Sequence, residues 1–147
     1  MAANVRKSSW RESWRGMVDI AQSVTDWLKD ILTGIPVEYG QFPNSTGAAQ
    51  AMLKAAPGEP WVLHYCSGGG IKQFPYEVYL QTRPLDEQER IDGLAMLRKV
   101  QAAIEDGGAP AGVVVYAHDV TTLPSPFSVG EDGVATYQLI AQIKYRV

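Results

Sequence analysis

The sequence predicts an α+β domain, a largely antiparallel or mixed sheet with two main helices packed on one face. Three observations carry this. Apolar residues recur at spacings of three and four from Ser9 to Thr33 and again from Pro84 to Asp106, the period of an amphipathic helix. Between and after them, Trp61 to Arg83 and Gly112 to Val147 are rich in β-branched and aromatic residues interrupted by Gly and Pro. The closing stretch, Val134 to Val147, alternates apolar and polar side chains.

The 147 residues suit one domain, residues 1–147. At that length about 68–70% of the unfolded surface is buried on folding, enough for a core without metal or disulfide staples. A hydrophobic share of 46% and a charged share of 20% exclude disordered and collagen-like chains. Lys and Arg total 13 against 16 Asp and Glu, a formal net charge of −3, which gives no sign of nucleic-acid binding by bulk charge. Cys66 is the sole cysteine and there are two histidines, so neither an internal disulfide nor a Cys-rich zinc site is available. The basic start, MAANVRKSSWRESWRG, is followed by no apolar signal core, and no stretch reaches the ~18 apolar residues of a membrane span. The expectation is a soluble, unexported protein.

The elements follow in order. The first helix takes Ser9 and Glu12 as a capping box and buries Trp10, Trp14, Met17, Val18, Ala21, Val24, Trp27, Leu28, Ile31 and Leu32; Gly34 and Pro36 stop it. Its Trp10 and Trp14 serve either the core or a neighbouring subunit, since Trp is enriched at interface hot spots. Residues 35–42 form a short edge strand between Pro36 and Pro43, and Asn44 to Ala56 a helical turn or two around Ala48, Met52 and Leu53. Trp61 to Cys66 and Ile71 to Arg83 are strands joined by the flexible turn Ser67-Gly68-Gly69-Gly70, a hairpin. In the second of them Phe74, Tyr76, Val78 and Leu80 share one face, while Pro75 relegates its first half to an edge or a bulge. The second helix, capped by Asp86 with Glu89, buries Ile91, Leu94, Leu97, Val100 and Ile104 and ends at Gly107-Gly108. Gly112 to Thr122 is a strand. Leu123 to Gly133 reads as a Pro-rich loop, either a lid on the core or an arm to a neighbour. In the last strand Ala135, Tyr137, Leu139, Ala141, Ile143, Tyr145 and Val147 face one way.

Candidate chemistry is sparse. His64 and Cys66 share a strand face but sit about 7 Å apart, too far for a relaxed nucleophile–base pair. His118 and Asp119 are strand neighbours and point to opposite faces. Ser67 to Lys72 has the glycines of a phosphate loop, yet leads into a strand where such a loop opens a helix. What stands out is a sheet face of neutral amides (Gln73, Gln81, Gln138 and Gln142, with Glu77), which suits a partner as well as it suits water.

The order and spacing of five segments carry a resemblance. They are the opening helix ending in Gly34-Ile35-Pro36; WVLHYCSGGGIKQFPYEVYLQTR at 61–83; DEQERIDGLAMLRKVQAAIED at 86–106; VVVYAHDVTTLPSPFSVGEDG at 113–133; and the closing VATYQLIAQIKYRV. Nearly the whole chain resembles the small tail-terminator, or minor capsid, proteins of long-tailed bacteriophages, a group related to tail-completion and tail-to-head joining proteins. In that family a Gly-rich hairpin is followed by a basic residue and a Gln-Phe-Pro-like strand, matched here by Lys72-Gln73-Phe74-Pro75. The resemblance implies a structural virion protein: a homohexameric ring that caps the tail tube, ends its growth and forms the tail side of the head–tail joint. It implies no catalysis and no cofactor. The implied partners are further copies of the chain, the tail tube protein, a head-completion or connector protein, and genomic DNA passing through the lumen without sequence-specific binding; no membrane is among them. Assembly would occur in the bacterial cytoplasm and the protein would reside in the virion tail. The residues expected at subunit or tube interfaces are Trp10, Trp14, Gly68, Gly69, Gly70, Lys72, Pro124, Pro126 and Phe127. Two alternatives stay open: a head-closure or other head–tail connector component, and a small bacterial enzyme or ligand-binding domain using His64, Cys66 or His118.

Overall fold

The computed structural model describes residues 19–43 and 49–147. Eight elements follow one another: α1 (Ile20–Ile31), β1 (Val37–Tyr39), β2 (Gln50–Ala55), β3 (Trp61–His64), β4 (Gly70–Thr82), α2 (Glu87–Glu105), β5 (Val115–Val129) and β6 (Ala135–Arg146). The strands form one mixed sheet in the order β1-β2-β4-β6-β5, with β3 also paired to β4. Among the described residues only β1 and β2 run parallel; the other pairs are antiparallel. The domain is therefore α+β, as the sequence predicts.

The two longest strands of the expected core face register as the alternation requires. From Ile71↔Arg146 to Thr82↔Ala135, β4 and β6 pair without a slip. Tyr76, Val78 and Leu80 from β4 and Tyr137, Leu139, Ala141 and Ile143 from β6 are buried on one face, joined by Ala51 and Leu53 of β2. Val24 and Leu28 of α1 and Leu97, Val100 and Ile104 of α2 cover them. Asp19 caps α1 by accepting from the Gln22 amide, and Asp86 caps α2 by accepting from Glu89 at 2.9 Å. The Glu89 carboxylate reaches back to the Leu85 amide, one residue earlier than a standard capping box.

Several expectations are corrected. The first helix is seen from Ile20; Ser9, Trp10, Glu12, Trp14, Met17 and Val18 lie outside the described residues, as do Asn44 to Ala48. The segment around Met52 and Leu53 is a strand, because Ala51 and Leu53 find buried partners opposite Leu80 and Val78. Pairing across a sheet overrides the helix preference of Ala, Met and Leu. Pro75 lies in a long inner strand, not at an edge. Its missing N–H faces the break between β2 and β3, where its carbonyl still accepts from the Ala56 amide at 2.8 Å. The expected Pro-rich loop is also strand: β5 runs on through Leu123, Pro124, Pro126 and Phe127 to Val129. As the sheet's edge it needs no N–H on its outer side, and register shifts around Thr122–Ser125 and Pro126–Ser128 absorb the prolines. Val147 is exposed rather than part of the core face, and Ile91 stands at the rim of α2 with 43% exposure.

Gly93 takes the place in the buried helix face that Ile91 was expected to hold. A Cβ there would come within 2.7 Å of Cε2 of Tyr137, so the ring lies directly beneath the helix backbone. Leu139 is wholly buried at the centre of this packing. Leu139→Ala should cost about 2–5 kcal/mol, measured by urea unfolding, as buried Leu truncations do. A loss below about 0.5 kcal/mol would mean that this face is not the core.

Candidate functional site

Apart from Trp10 and Trp14, which lie outside the described residues, the residues expected at interfaces separate into two groups at opposite ends of the sheet. One end holds the β3–β4 hairpin. Its turn is tied rather than loose: the Tyr65 amide donates to Gly69, the Gly68 amide to Tyr65, and the Val147 amide to Gly70 at 3.0 Å. Gly69 and Gly70 have φ of +72° and +154°. A Cβ on Gly69 would lie 2.6 Å from the Val147 carbonyl, and one on Gly70 would collide with the Leu63 carbonyl. These glycines are required by close backbone approach, and the tip is pinned to the C-terminal strand. The Lys72 ammonium sits 4.7 Å over the Trp61 ring. Beside it Val62, Leu63 and Tyr65 are exposed.

At the other end, distal β5 presents Leu123, Phe127 and Val129 to solvent. The Phe127 ring meets Tyr79 edge-on at 5.2 Å, on the face away from the helices. Pro126 faces the helix side, where it lines an apolar cleft of about 330 Å³ together with Glu87, Arg90, Ile91, Leu94 and Tyr137. The Tyr137 hydroxyl is buried and has no hydrogen-bond partner among the described residues. The sequence reading missed this cleft, since it joins the start of a helix to two strand ends far along the chain.

The face away from the helices is built from amides and paired charges. Gln142 donates to Gln73 and Gln50 to Gln81, each at 2.7 Å, while Lys54 and Glu77 form an ion pair at 3.4 Å. The Tyr79 phenol donates to Glu77, and burial, followed by the Glu77 charge, raises its pKa. On the expected Gln-rich face, Gln73 is thus tied to Gln142 and Gln81 to Gln50.

The two histidines have different settings. His64 is exposed and its ring rests on Trp61 at 3.9 Å, while Cys66 lies exposed in the following turn. His118 is part-buried between strand and helix. The Tyr76 hydroxyl lies 2.6 Å from Nε2, and Nδ1 lies 3.2 Å from the Gly108 carbonyl. A carbonyl can only accept, so Nδ1 carries the proton and Nε2 accepts from Tyr76. Trp27 of α1 packs against the same imidazole at 5.1 Å. Burial lowers the pKa of His118, opposed in part by the Gly108 carbonyl and then by Asp119. The arrangement resembles an oriented base, yet the hydroxyl it holds belongs to a wholly buried tyrosine whose own pKa burial raises. Its chemistry is that of a core fastening. Nothing in the local sequence marks it, because its members lie 42 residues apart.

Among the described residues no group of three or more His, Cys, Asp or Glu side chains could hold a metal, and no helix is long and apolar enough to cross a membrane. No family model matches the sequence, and no curated protein matches it. A solved structure is similar at 16% identity and a TM-score of 0.46, over 86% of this chain and 88% of that one.

The His118 setting fixes the sign of a pH effect. Folding holds His118 below its ordinary pKa of 6.5, so below that pH the unfolded chain binds the extra proton. The stabilisation is complete above about pH 6.5 and is lost as pH falls toward the lowered folded value. Thermal unfolding at pH 7.5 and pH 5.5 should show the gap between wild type and His118→Gln narrowing at the lower pH. A gap that stays constant would separate His118 from the acid response.

Proposed function

We propose that this chain is a ring subunit that caps the tail tube of a long-tailed phage, ends tube growth and forms the tail side of the head–tail joint. The observation that supports this reading is the placement of two unlike surfaces at opposite ends of one rigid sheet. The β3–β4 hairpin offers Val62, Leu63 and Tyr65; distal β5 offers Leu123, Phe127 and Val129 beside an apolar cleft. Unlike surfaces on one subunit make head-to-tail contacts, and such contacts close into a ring when the rotation per subunit closes. The likeness of the sequence to tail terminators supplies the expected number, six. Gly68, Gly69, Gly70 and Lys72 fall at the first surface and Pro124, Pro126 and Phe127 at the second, which gives each group a role against a neighbouring copy or the tube.

The amide-rich face also fits a wall past which DNA travels. Amides paired with each other offer phosphate few free donors, and a chain of net charge −3 does not attract a polyanion. The tail tube protein and a connector protein would meet the two rims of the ring.

Native mass spectrometry and negative-stain electron microscopy of the full chain, alone and mixed with tail tubes, test this. Closed rings, expected to hold six copies, should form in solution or on tube ends. A chain that stays monomeric in both settings would overturn the reading.

A further inference from the structure

We infer that His118 is an acid-sensitive latch: protonation of its imidazole releases the proximal part of β5 and the end of α2 in a local opening that leaves β4 and β6 paired. The inference is independent of the ring reading. It starts from the neutral ring, whose two nitrogens are both engaged. Nδ1–H donates to the Gly108 carbonyl at 3.2 Å, and Nε2 accepts from the Tyr76 hydroxyl at 2.6 Å. A proton arriving at Nε2 takes the lone pair that the hydroxyl uses. The Tyr76 oxygen can then accept from the new N–H, but its own hydrogen loses its acceptor. Tyr76 is wholly buried, so that hydrogen has no water to turn to, and a buried donor without a partner is costly.

The surroundings supply little that offsets this. The ring meets Trp27 from α1, the Gly108 carbonyl from the end of α2, Tyr76 from β4 and, opposite in register, Ile143 from β6. None of these is charged at neutral pH, and burial keeps the Tyr76 phenol protonated. The charged group that acts on the ring is Asp119, its neighbour in β5. Asp119 and the Gly108 carbonyl favour the imidazolium, yet burial outweighs them and lowers the pKa. The cation is therefore better accommodated once the ring reaches water.

The ladder around His118 is built to part locally. Four consecutive pairs, Ala117↔Lys144 to Val120↔Ala141, are bounded by register shifts on both sides, at Val115/Ala117 and Val120/Thr122. The neighbouring β4–β6 ladder runs unbroken from Ile71↔Arg146 to Thr82↔Ala135. No residue of β5 is fully buried, whereas β6 holds Tyr137, Leu139, Ala141 and Ile143 in the core. An edge strand with one neighbour, few buried side chains and a short regular ladder belongs to the low-stability end of a fold. The latch fastens that stretch to the central strand and to the end of α2, and its release bares the edge of β6.

Amide hydrogen exchange of the full chain, followed by NMR over a series of low urea concentrations at pH 7.5 and pH 5.5, tests this. The hydrogen-bonded amides between Ala117 and Val120 should exchange faster than those of Val78 and Leu139 and with little dependence on urea, the mark of a local opening. With an ordinary pKa of 6.5 in the open segment, their protection should fall severalfold, and at most about tenfold, between the two pH values. His118→Gln keeps a donor and an acceptor but does not titrate, and should abolish that fall; His64→Gln, at the exposed histidine, should leave it intact. Amides of β5 that exchange only together with those of Val78 and Leu139, at the same rate and with the same urea dependence, overturn the inference. So does a fall in protection that survives His118→Gln, or no fall in the wild type. Should His118→Gln not fold, the wild-type imidazole resonances decide: titration of His118 at or above 6.5 overturns the latch.

Discussion

The pairing of β4 with β6 is the constraint on which the rest of the molecule depends. It runs through twelve consecutive residues of each strand without a bulge, so every side chain on either strand has a fixed face. A slip of one residue would turn Val78, Leu80, Leu139 and Ile143 outward together and bring Glu77 and Gln138 inward. Both helices then have one place to go, over the apolar face. The two apolar ends follow from the same pairing. The strands terminate together, at Gly70 with Arg146 and at Thr82 with Ala135, which puts the β3–β4 hairpin at one end and the cleft at the other.

Strand β6 was legible because nothing competes with its alternation. The second helix was legible from its period and from Asp86, whose side chain does cap it. The segment around Met52 was not, since Ala, Met, Leu and Lys all favour helix and only the facing β4 residues reveal the strand. Distal β5 failed for the opposite reason. Two prolines within three residues read locally as a loop, but a proline costs no ladder bond when its nitrogen faces away from the sheet. Of the residues expected at interfaces, Gly68, Gly69, Gly70 and Lys72 lie at the β3–β4 hairpin and Pro124, Pro126 and Phe127 in distal β5, while Trp10 and Trp14 lie outside the described residues. The cleft escaped because Leu94, Pro126 and Tyr137 meet only through tertiary structure.

The polar face obeys a second rule, that each buried or half-buried polar group needs a partner. The Gln73–Gln142 pair links β4 to β6, and the Gln50–Gln81 pair links β2 to β4. Such pairs knit neighbouring strands without fixed charge, so the face can lie against a neutral partner without stranding an ion. The Lys54–Glu77 pair, with the Lys54 side chain 47% exposed, adds little stability in comparison.

The His118 fastening shows why a part-buried polar contact is retained in a core that is otherwise apolar. Apolar packing is non-directional and would allow the end of α2 to slide over the sheet. The imidazole prevents this by bonding in two directions at once, to the Tyr76 hydroxyl on the central strand and to the Gly108 carbonyl just past α2. Trp27 lies against the same ring and also close to Gly108, where a Cβ would fall 3.5 Å from its Cζ2. Edge strand, central strand and both helices therefore meet at one side chain. Farther along β5, after three of its four register shifts, Pro126 pairs opposite Tyr137, so the outer wall of the cleft is set by that pairing and the proximal end of the strand by His118.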